Sequence, residues 1–542
     1  MYSPKYPSKN RITMKYPIGI QTFETIREEG YVYVDKSALV YRLANEGQVY
    51  FLSRPRRFGK SLLVSTLKNY FLGRKELFRG LAIDRLEQEW NAYPVFHVDF
   101  NGTDFTQPDA LKSKVEGLIL RWEATYGSCP YDDDPGTRFA YVLEQAYLQT
   151  GRRAVVLIDE YDKPILDVLD TGYSMMVNGE RRTLEDVHRD VLRSFYGVFK
   201  SADPYLRFVF LTGVTKFSQV SVFSGFNQPA DISMVEKYEA LCGITEEELY
   251  AYFKEPIGEL AEAEGCTVEE MKLQLKHQYD GYHFSARMTD IYNPFSLLNC
   301  FAFTAIDDYW FRSGTPTYLV RLLNHSREDM NNLTGNYFAS SQFIDYKADV
   351  EKPLPMIYQS GYLTIKGYNR TLRTFLLDYP NNEVRRGFLT MVAADYLKPS
   401  SKDVTSWMLD GVTALQAGDI DLFRRQLTAF LADIPYTMRR KENERERERY
   451  FHYTFYLLLR LLSNYVVYTE KQQSEGRVDC IIETERYIYI FEFKLDGTAA
   501  EALQQIEEKG YAKPYAADTR TLYRIGVSFS SETGTIEEFE VC

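Results

Sequence analysis

The first half of the chain alternates short apolar runs with longer stretches in which apolar residues recur with a helical period. Each run is rich in β-branched or aromatic residues and is followed by polar loop residues; the runs are Val49–Leu52, Val95–Phe100, Ala154–Ile158 and Arg207–Leu211. This order is typical of parallel strands joined by crossover helices. It predicts an α/β fold with a helix-covered parallel sheet, in which ligands bind at the carboxyl ends of the strands.

Further along, the pattern changes twice. Thr245-Glu246-Glu247-Glu248 is a helix-start signal and opens a helical region. Two hairpin-like strands, Gly361–Lys366 and Thr374–Leu377, then follow helical turns, which suggests a winged-helix-like module. A helical segment around Ala414–Ile434 precedes the last hundred or so residues, which read as an α/β unit. That unit is expected to contain a helix from Ala499 and a closing strand near Ile525–Phe529.

Composition narrows the class of protein. The 542 residues are 45% hydrophobic and carry a net charge of −12, which excludes a histone-like basic coat but allows a local basic groove. The cysteines are scattered without a CxxC pair, as expected for reduced thiols without a disulfide frame or a structural zinc site. The start of the chain is a poor signal peptide. The most apolar stretch, Phe451–Tyr468, is interrupted by polar residues and predicts a buried helix rather than a membrane span. We therefore expect a cytoplasmic protein without a membrane partner.

A phosphate-binding loop is predicted directly after the first apolar run. Arg54-Pro55-Arg56-Arg57-Phe58-Gly59-Lys60-Ser61 precedes the helical run Leu62–Tyr70, so its backbone N–H groups can wrap phosphates at a helix N-terminus. Lys60 would reach the β- and γ-phosphates, and Ser61 would ligate Mg²⁺. The residues expected to contact the nucleotide are Arg56, Arg57, Phe58, Gly59, Lys60, Ser61 and Leu62. Arg54 stands where such loops usually have glycine, and we expect its side chain to point outward.

Two later strand ends supply further candidates. The run Ala154–Ile158 delivers Asp159 and Glu160 to its tip, where Asp159 would hold Mg²⁺ and Glu160 would polarise the attacking water. The next strand ends at Thr212-Gly213-Val214-Thr215. Thr212 or Thr215 would hold that water or sense the γ-phosphate, although an ordinary strand-ending turn explains them equally well. The expected cofactors are ATP and Mg²⁺.

Several motifs together resemble one family. They are Tyr16-Pro17-Ile18-Gly19, Tyr33-Val34-Asp35-Lys36, the loop Arg54–Ser61, Leu157-Ile158-Asp159-Glu160-Tyr161-Asp162, Thr212-Gly213-Val214-Thr215-Lys216-Phe217, Tyr279-Asp280-Gly281-Tyr282 and Tyr292-Asn293-Pro294-Phe295. This set is similar to the AAA-ATPase-like family of bacterial proteins, which is typically fused to a C-terminal nuclease-like domain. The family pattern accepts arginine at the position of Arg54. The resemblance covers about residues 16 to 300 and continues at the far end of the chain. Together with the residue pattern it predicts a P-loop ATPase core over residues 1–235, a helical lid over 236–330, a winged-helix-like region over 331–435 and a restriction-endonuclease-like α/β domain over 436–542.

The terminal unit contains a second constellation. Asp479 starts one strand, and Glu492-Phe493-Lys494 ends the next, where strand alternation puts Glu492 and Lys494 on one face. Two carboxylates and a lysine suit phosphodiester cleavage, with Asp479 and Glu492 on Mg²⁺ and Lys494 orienting water or stabilising charge. The simpler alternative is a surface ion pair. The arrangement resembles the PD-(D/E)xK nuclease superfamily; the resemblance adds Glu448 as a further metal ligand, with His452 one helical turn on, and Gln505 and Tyr511 as residues that complete the site.

Three functions fit these features. The leading one is an ATPase whose nucleotide state controls a Mg²⁺-dependent nuclease acting on DNA. The second is a nucleotide-switched binding protein whose nuclease-like domain is catalytically inert. The third is a stand-alone nucleotide hydrolase whose tail serves oligomerisation, since the sequence leaves a homo-oligomer open. Arg56 and Arg57 could contact phosphate or act as arginine fingers, and equally could pair with neighbouring acids. Arg312 could act as an arginine finger in trans.

Overall fold

The computed structural model describes residues 14–130, 134–217, 229–314, 319, 333–344, 352–397, 404–432, 480–530, 532–533 and 535–542. The chain divides into two compact units, residues 1–383 and 384–542. The stretch Phe451–Tyr468, for which a buried helix is expected, lies outside the described residues. Among the helices that are described, none combines the length and apolar character that crossing a bilayer requires.

The first unit is a mixed α/β structure. Its strands are β1 (Val49–Ser53), β2 (Val95–Asp99), β3 (Ala154–Asp159), β4 (Ser174–Val177), β5 (Glu180–Thr183), β6 (Leu206–Gly213), β7 (Ala230–Asp231), β8 (Ile244–Thr245), β9 (Ile291–Tyr292), β10 (Asn336–Ala339), β11 (Thr364–Asn369) and β12 (Thr374–Asp378). Its α-helices are α1 (Phe23–Glu28), α2 (Ser37–Glu46), α3 (Lys60–Phe71), α4 (Ile83–Leu86), α5 (Ala110–Tyr126), α6 (Pro135–Thr150), α7 (Lys163–Leu166), α8 (Leu184–Ser201), α9 (Glu246–Tyr252), α10 (Lys254–Glu264), α11 (Val268–Tyr279), α12 (Pro294–Phe303), α13 (Tyr309–Arg312), α14 (Ser340–Phe343) and α15 (Leu354–Gln359). Short 3₁₀ turns cover Lys75–Phe78, Asp203–Tyr205 and Glu236–Leu241.

A five-stranded sheet organises this unit, in the order β2-β3-β6-β1-β7. Its neighbouring strands are parallel throughout. The four predicted strands are confirmed, with ends that differ by one or two residues. The sequence does not predict β7, because a strand of two residues is too short to show an alternating pattern of apolar and polar residues. Because β1 and β3 both run parallel to β6, which lies between them, the loop after β1 and the acidic end of β3 lie at the same edge of the sheet.

The helical region after the sheet begins where Thr245 predicts it. The Thr245 side chain accepts the N–H of Glu248, and the Glu248 carboxylate accepts the N–H of Thr245, which together form a capping box. The helices α9 to α12 enclose a buried apolar core that includes Phe253, Leu260 and Met271. Residues of the N-terminal segment, such as Tyr16, pack against the same core.

An antiparallel sheet ends the first unit. Its order is β10-β12-β11, so the predicted hairpin is present as β11 and β12, with a third strand added by β10. The register of the hairpin shifts between Ile365 and Gly367. The winged-helix-like assignment of this region stays a prediction, as do the expected domain limits.

The second unit contains a mixed sheet. The helix α16 (Asn382–Leu397) crosses the boundary between the units, and then come α17 (Val404–Ala417), α18 (Ile420–Ala432), β13 (Cys480–Glu483), β14 (Tyr487–Leu495), α19 (Ala499–Glu508), a 3₁₀ turn (Lys513–Tyr515), β15 (Thr521–Phe529) and β16 (Ile536–Val541). The sheet order is β13-β14-β15-β16, with only β14 and β15 parallel. The helical segment expected around Ala414–Ile434 is confirmed over its described part, as the end of α17 and the whole of α18, which Gly418 separates with a φ of 76°.

Candidate functional site

The predicted phosphate-binding loop, Arg54–Ser61, connects β1 to α3. Gly59 has a φ of 89°, a left-handed conformation that side chains disfavour, and it precedes α3 without a side-chain cap. Arg57 also has a positive φ, of 67°. The first N–H groups of α3, those of Lys60, Ser61 and Leu62, therefore lie at an uncapped helix N-terminus. Such an end binds anions through its N–H groups and its partial positive charge.

Lys60 is buried inside this loop. Its Nζ donates hydrogen bonds to the carbonyl oxygens of Arg54 and Pro55, both at 3.0 Å. Burial lowers the pKa of Lys60, while the nearby carboxylates of Glu160 and Asp159 favour its charged form. The lysine is thus surrounded by acceptors at the end of the sheet, where a phosphate group would replace the carbonyl oxygens as its partner.

Asp159 and Ser61 come together as the sequence predicts. Asp159 is 3% exposed at the end of β3, and the Ser61 side chain lies near enough to its carboxylate to lower its pKa. Burial has the larger effect and raises the pKa of Asp159, whereas the Ser61 hydroxyl and the Lys60 charge lower it. Mg²⁺ in phosphate sites is commonly held by one or two protein oxygens together with phosphate oxygens and water. These two oxygens fit that requirement.

Glu160 has an unusual backbone. Its φ is 50°, and its N–H donates to Asp159 Oδ1 at 3.0 Å. Strained conformations of this kind concentrate at functional sites. Burial raises the pKa of the Glu160 carboxyl, and Lys60 is the largest opposing influence. A carboxylate with a raised pKa is a stronger base, which suits the activation of water.

Two carboxylates near this edge were not singled out from the sequence. Asp99 ends β2 and pairs in register with Asp159, so its charge raises the pKa of Asp159. Asp162 accepts hydrogen bonds from the N–H groups of Val214 and Thr215, at 3.0 and 2.6 Å, which ties the end of β6 to the end of β3. A lone aspartate after a strand is common, so only strand order and register could have revealed either residue.

The two threonines at the end of β6 donate their hydroxyl protons within the protein. Thr212 Oγ1 donates to the carbonyl oxygen of Leu52 at 2.9 Å, and Thr215 Oγ1 donates to Asp162 Oδ2 at 2.7 Å. Both contacts hold neighbouring strand ends in place. The predicted contact of Thr212 with a nucleotide or a water stays a prediction.

Arg54 does not point outward, contrary to the expectation. Its guanidinium is buried and donates through Nη1 to the carbonyl oxygens of Ser53 and Ser233, at 2.9 and 2.8 Å. It also lies 4.0 Å from the centre of the Phe284 ring. Burial lowers the pKa of Arg54. Because Arg54 is not among the residues with a positive φ, this position does not need the conformational freedom of glycine.

Among the other loop residues, some are buried in packing contacts and others are exposed. The Phe58 ring is buried against Tyr282, with ring centres 4.7 Å apart, so only its backbone is placed to meet a ligand. Arg57 is exposed and lies 5.0 Å from the centre of the Phe295 ring. Arg56 donates to the carbonyl oxygen of Gly314 at 3.1 Å. Arg312, the candidate finger, forms an ion pair with Asp307.

An apolar cavity of about 90 Å³ lies beside the loop. Its lining comes from the N-terminal segment, the start of α3 and the helical region, and includes Pro17, Val32, Val34, Gly59, Leu62, Ile244, Phe253, Pro294 and Leu298. A mostly apolar cavity next to a phosphate-binding loop suits the flat, weakly polar face of a nucleobase. Leu62 therefore contributes its backbone to the loop and its side chain to the cavity.

The second unit brings three predicted residues together. Glu492 is 2% exposed on β14, and Gln505 on α19 donates through Nε2 to Glu492 Oε1. Lys494 donates to the Oε1 of the same glutamine. Gln505 can bridge the two because alternation along β14 places Glu492 and Lys494 on one face. Gly526, opposite Glu492 on β15, allows α19 to pack closely, since a Cβ there would lie 2.2 Å from the Ala499 carbonyl oxygen.

The remaining members of this constellation are only partly described. Tyr511 is buried in the apolar cluster between α19 and the sheet, with Ile488 and Ile506. Asp479, Glu448 and His452 lie outside the described residues. Within the described parts of the chain, no group of three or more His, Cys, Asp or Glu side chains is arranged to hold a metal ion. A metal at either site would therefore need further oxygen ligands from substrate, from water or, at Glu492, from Asp479.

The fold and the two sites define a protein with a P-loop-type nucleotide-binding unit and a nuclease-like unit. Two family models match the chain: "Predicted AAA-ATPase" over residues 17–223 and "PD-(D/E)XK nuclease superfamily" over residues 446–539. A protein of Azotobacter chroococcum mcd 1, described as "Uncharacterized protein in vnfD 5'region", is 36% identical over 534 residues, which cover 97% of this chain and 98% of that protein. The chain belongs to the AAA-ATPase-like family and carries a C-terminal domain of the PD-(D/E)XK nuclease superfamily.

Proposed function

We propose that the protein binds and hydrolyses ATP with Mg²⁺ at the loop Arg54–Ser61, and that its nucleotide state controls Mg²⁺-dependent cleavage of DNA by the C-terminal domain. The observation that carries the ATPase part is the meeting of Ser61 and Lys60, at the start of α3, with Asp159 and Glu160, at the end of β3, where these groups interact electrostatically. These four side chains come from one strand end, that of β3, and one helix start, that of α3.

Each residue has a distinct task in the proposed hydrolysis. The N–H groups at the start of α3 bind phosphate oxygens, and Lys60 neutralises charge on the transferred phosphoryl group. Glu160 orients the attacking water and accepts its proton. Ser61 and Asp159 would hold Mg²⁺, which supplies charge neutralisation between the phosphates when bound. The apolar cavity between Pro17 and Leu298 would take the adenine base.

The proposed nuclease site is built from Glu492, Lys494 and Gln505. Glu492 would ligate Mg²⁺ together with the predicted ligands Asp479 and Glu448, and Lys494 would stabilise negative charge on the phosphodiester or orient water. Gln505 holds both side chains on one face of β14. DNA is the proposed substrate because the motif is that of the PD-(D/E)XK superfamily.

A paired activity assay tests both halves. ATP hydrolysis and cleavage of linear and single-stranded DNA are measured with Mg²⁺ or Mn²⁺, with and without ATP. Lys60→Ala is expected to abolish nucleotide binding, whereas Glu160→Gln should retain binding and lose about 10²- to 10⁴-fold in hydrolysis. Glu492→Gln is expected to lose cleavage and keep ATP hydrolysis, because its changed atom lies in the other unit.

Specific results would contradict the proposal. Unchanged ATP hydrolysis in Lys60→Ala would refute the assigned nucleotide site. DNA binding without cleavage by the wild-type protein, under any of the metal and nucleotide conditions, would favour the inert, nucleotide-switched binding protein instead. Cleavage that is independent of ATP would refute the coupling while leaving both sites standing.

A further inference from the structure

The phosphate-binding loop forms hydrogen bonds with α13 and with the residues that directly follow it. The indole N–H of Trp310 donates to the carbonyl oxygen of Arg56 at 3.1 Å. In return, the Arg56 guanidinium donates to the carbonyl oxygen of Gly314, two residues after α13. Trp310 is 5% exposed, and its ring packs against Tyr362 with ring centres 5.1 Å apart. The loop and α13 are thus joined by two hydrogen bonds that run in opposite directions.

The same tryptophan is bound to the start of α16. Its backbone N–H donates to Glu383 Oε1 at 2.6 Å, and Ser296 of α12 donates to Glu383 Oε2 at 2.7 Å. Glu383 is fully buried, and a buried carboxylate that loses a donor is strongly destabilised. The hydrogen bonds therefore fix Glu383 relative to α12 and α13. Glu383 is the last residue of the first unit, and α16 continues from it into the second.

Lys60 gives the loop two alternative sets of partners. In the structure its Nζ binds the carbonyl oxygens of Arg54 and Pro55, the two residues before Arg56. A bound phosphate competes for the same ammonium group, because a charged acceptor forms the stronger hydrogen bond. Lys60 would then leave the two carbonyl oxygens, and the loop would rearrange around the phosphate. The Arg56 carbonyl, one peptide further on, is the group that Trp310 holds.

We propose that Trp310 is a positioning residue that couples the conformation of the phosphate-binding loop to α16, through its indole bond to Arg56 and its backbone bond to Glu383. The coupling rests on the proposed nucleotide site. It requires no contact between the two units, since α16 itself crosses the boundary. Nucleotide binding changes the position or the stability of α13, and the buried Glu383 carboxylate passes that change to the first turn of α16.

Trp310→Phe tests the coupling, because phenylalanine keeps an aromatic ring and removes the indole N–H. Trp90→Phe is a matched control: Trp90 is packed against Phe78, and its indole nitrogen has no hydrogen-bond partner. Amide hydrogen exchange of residues 384–391 is followed in the full chain, with and without Mg²⁺ and a non-hydrolysable ATP analogue. Calorimetry gives the affinity for the analogue, and circular dichroism confirms that each variant folds.

The wild-type protein and Trp90→Phe are expected to show a nucleotide-dependent change in exchange over residues 384–391. Trp310→Phe should bind the analogue within about tenfold of wild type, the range that one neutral hydrogen bond spans, and lose most of the change. Glu383→Gln keeps the shape of the side chain but can no longer accept at both positions, and should at least halve the change; this variant serves if Trp310→Phe does not fold.

Two results would overturn the coupling. One is a full nucleotide-dependent change in hydrogen exchange in Trp310→Phe. If Trp310→Phe does not fold, the same result in Glu383→Gln overturns the coupling. The other is a wild-type protein that binds the analogue without any change over residues 384–391. Failure of the wild-type protein to bind the analogue would instead refute the proposed nucleotide site, and the coupling with it.

Discussion

Replacing Arg54 by glycine restores the residue that phosphate-binding loops usually have at this position, and it should destabilise this protein. The guanidinium is 1% exposed and bridges the end of β1 to Ser233 and the 3₁₀ turn that contains Glu239. No left-handed backbone has to be accommodated, because Arg54 does not have a positive φ. Glycine therefore brings no conformational benefit here, and the unfolded chain gains freedom.

The size of the effect follows from the contacts. Two hydrogen bonds of 2.8–2.9 Å from a charged donor contribute about 1.5–3 kcal/mol each, and the desolvated contact with Phe284 adds about 2 kcal/mol. Burying the charge costs several kcal/mol and offsets much of this. Arg54→Gly adds about 0.5–1 kcal/mol of backbone entropy loss on folding. We expect a net destabilisation of about 2–5 kcal/mol.

Calorimetric unfolding of the full chain measures this effect, because it can resolve the transitions of the two units where a single two-state analysis would fail. Arg54→Gly should lower the transition of the first unit and leave that of the second unchanged. Arg57→Gly is the matched control: it is the same substitution in the same loop, at an exposed residue with a φ of 67°, and should change stability by about 1 kcal/mol or less. A variant Arg54→Gly as stable as the wild type would refute the reasoning.

Two further predictions concern a buried carboxylate and a buried glycine. Asp280 is 1% exposed, neither of its carboxylate oxygens has a hydrogen-bond partner, and burial together with Asp290 raises its pKa to about 7. The contribution of Asp280 to stability is thus present at low pH and lost as the pH rises through about 7. Asparagine does not ionise, so the stability of Asp280→Asn relative to wild type should increase by about 2–4 kcal/mol between pH 5 and pH 8, as measured by urea unfolding. A difference in stability that is independent of pH would contradict this. Gly526→Ala would place a Cβ 2.2 Å from the Ala499 carbonyl oxygen, which should lower the stability of the second unit by about 1–3 kcal/mol and separate Gln505 from Glu492; a calorimetric transition of that unit unchanged from wild type would contradict it.

The parallel sheet could be predicted because its strands are buried on both faces. Every residue of β3 is buried, which leaves a continuous apolar run in the sequence. The opposite holds for β16, where Ile536, Glu537, Glu538 and Phe539 give an edge strand whose outer positions are charged, so the pattern does not indicate it. Local chemistry also sufficed for Thr245, since a capping box lies within four residues.

The environment of Arg54 could not be read from its neighbours. A charged residue is expected at the surface, but its partner Ser233 lies 179 residues along the chain and reaches it only through the pairing of β1 with β7. The placement of Asp99 could not be predicted either, because its position beside Asp159 depends on the register of β2 against β3. Side chains that follow one strand, such as Glu492 and Lys494, were predictable because alternation is local. Contacts that depend on strand order were not.

Both candidate sites share one physical feature: a lysine whose charge is already bound by neutral acceptors of the protein. Lys60 donates to two carbonyl oxygens, and Lys494 donates to the side-chain oxygen of Gln505. A phosphate group that enters either site must compete with these acceptors, and it does so because an anion forms the stronger hydrogen bond with an ammonium group. When phosphate replaces these acceptors, the carbonyl oxygens of the loop before Arg56 lose their partner at the first site, and Gln505 of α19 loses its partner at the second. Phosphate binding at each site would therefore change how that element is held, which is the physical requirement of the proposed coupling between nucleotide state and DNA cleavage.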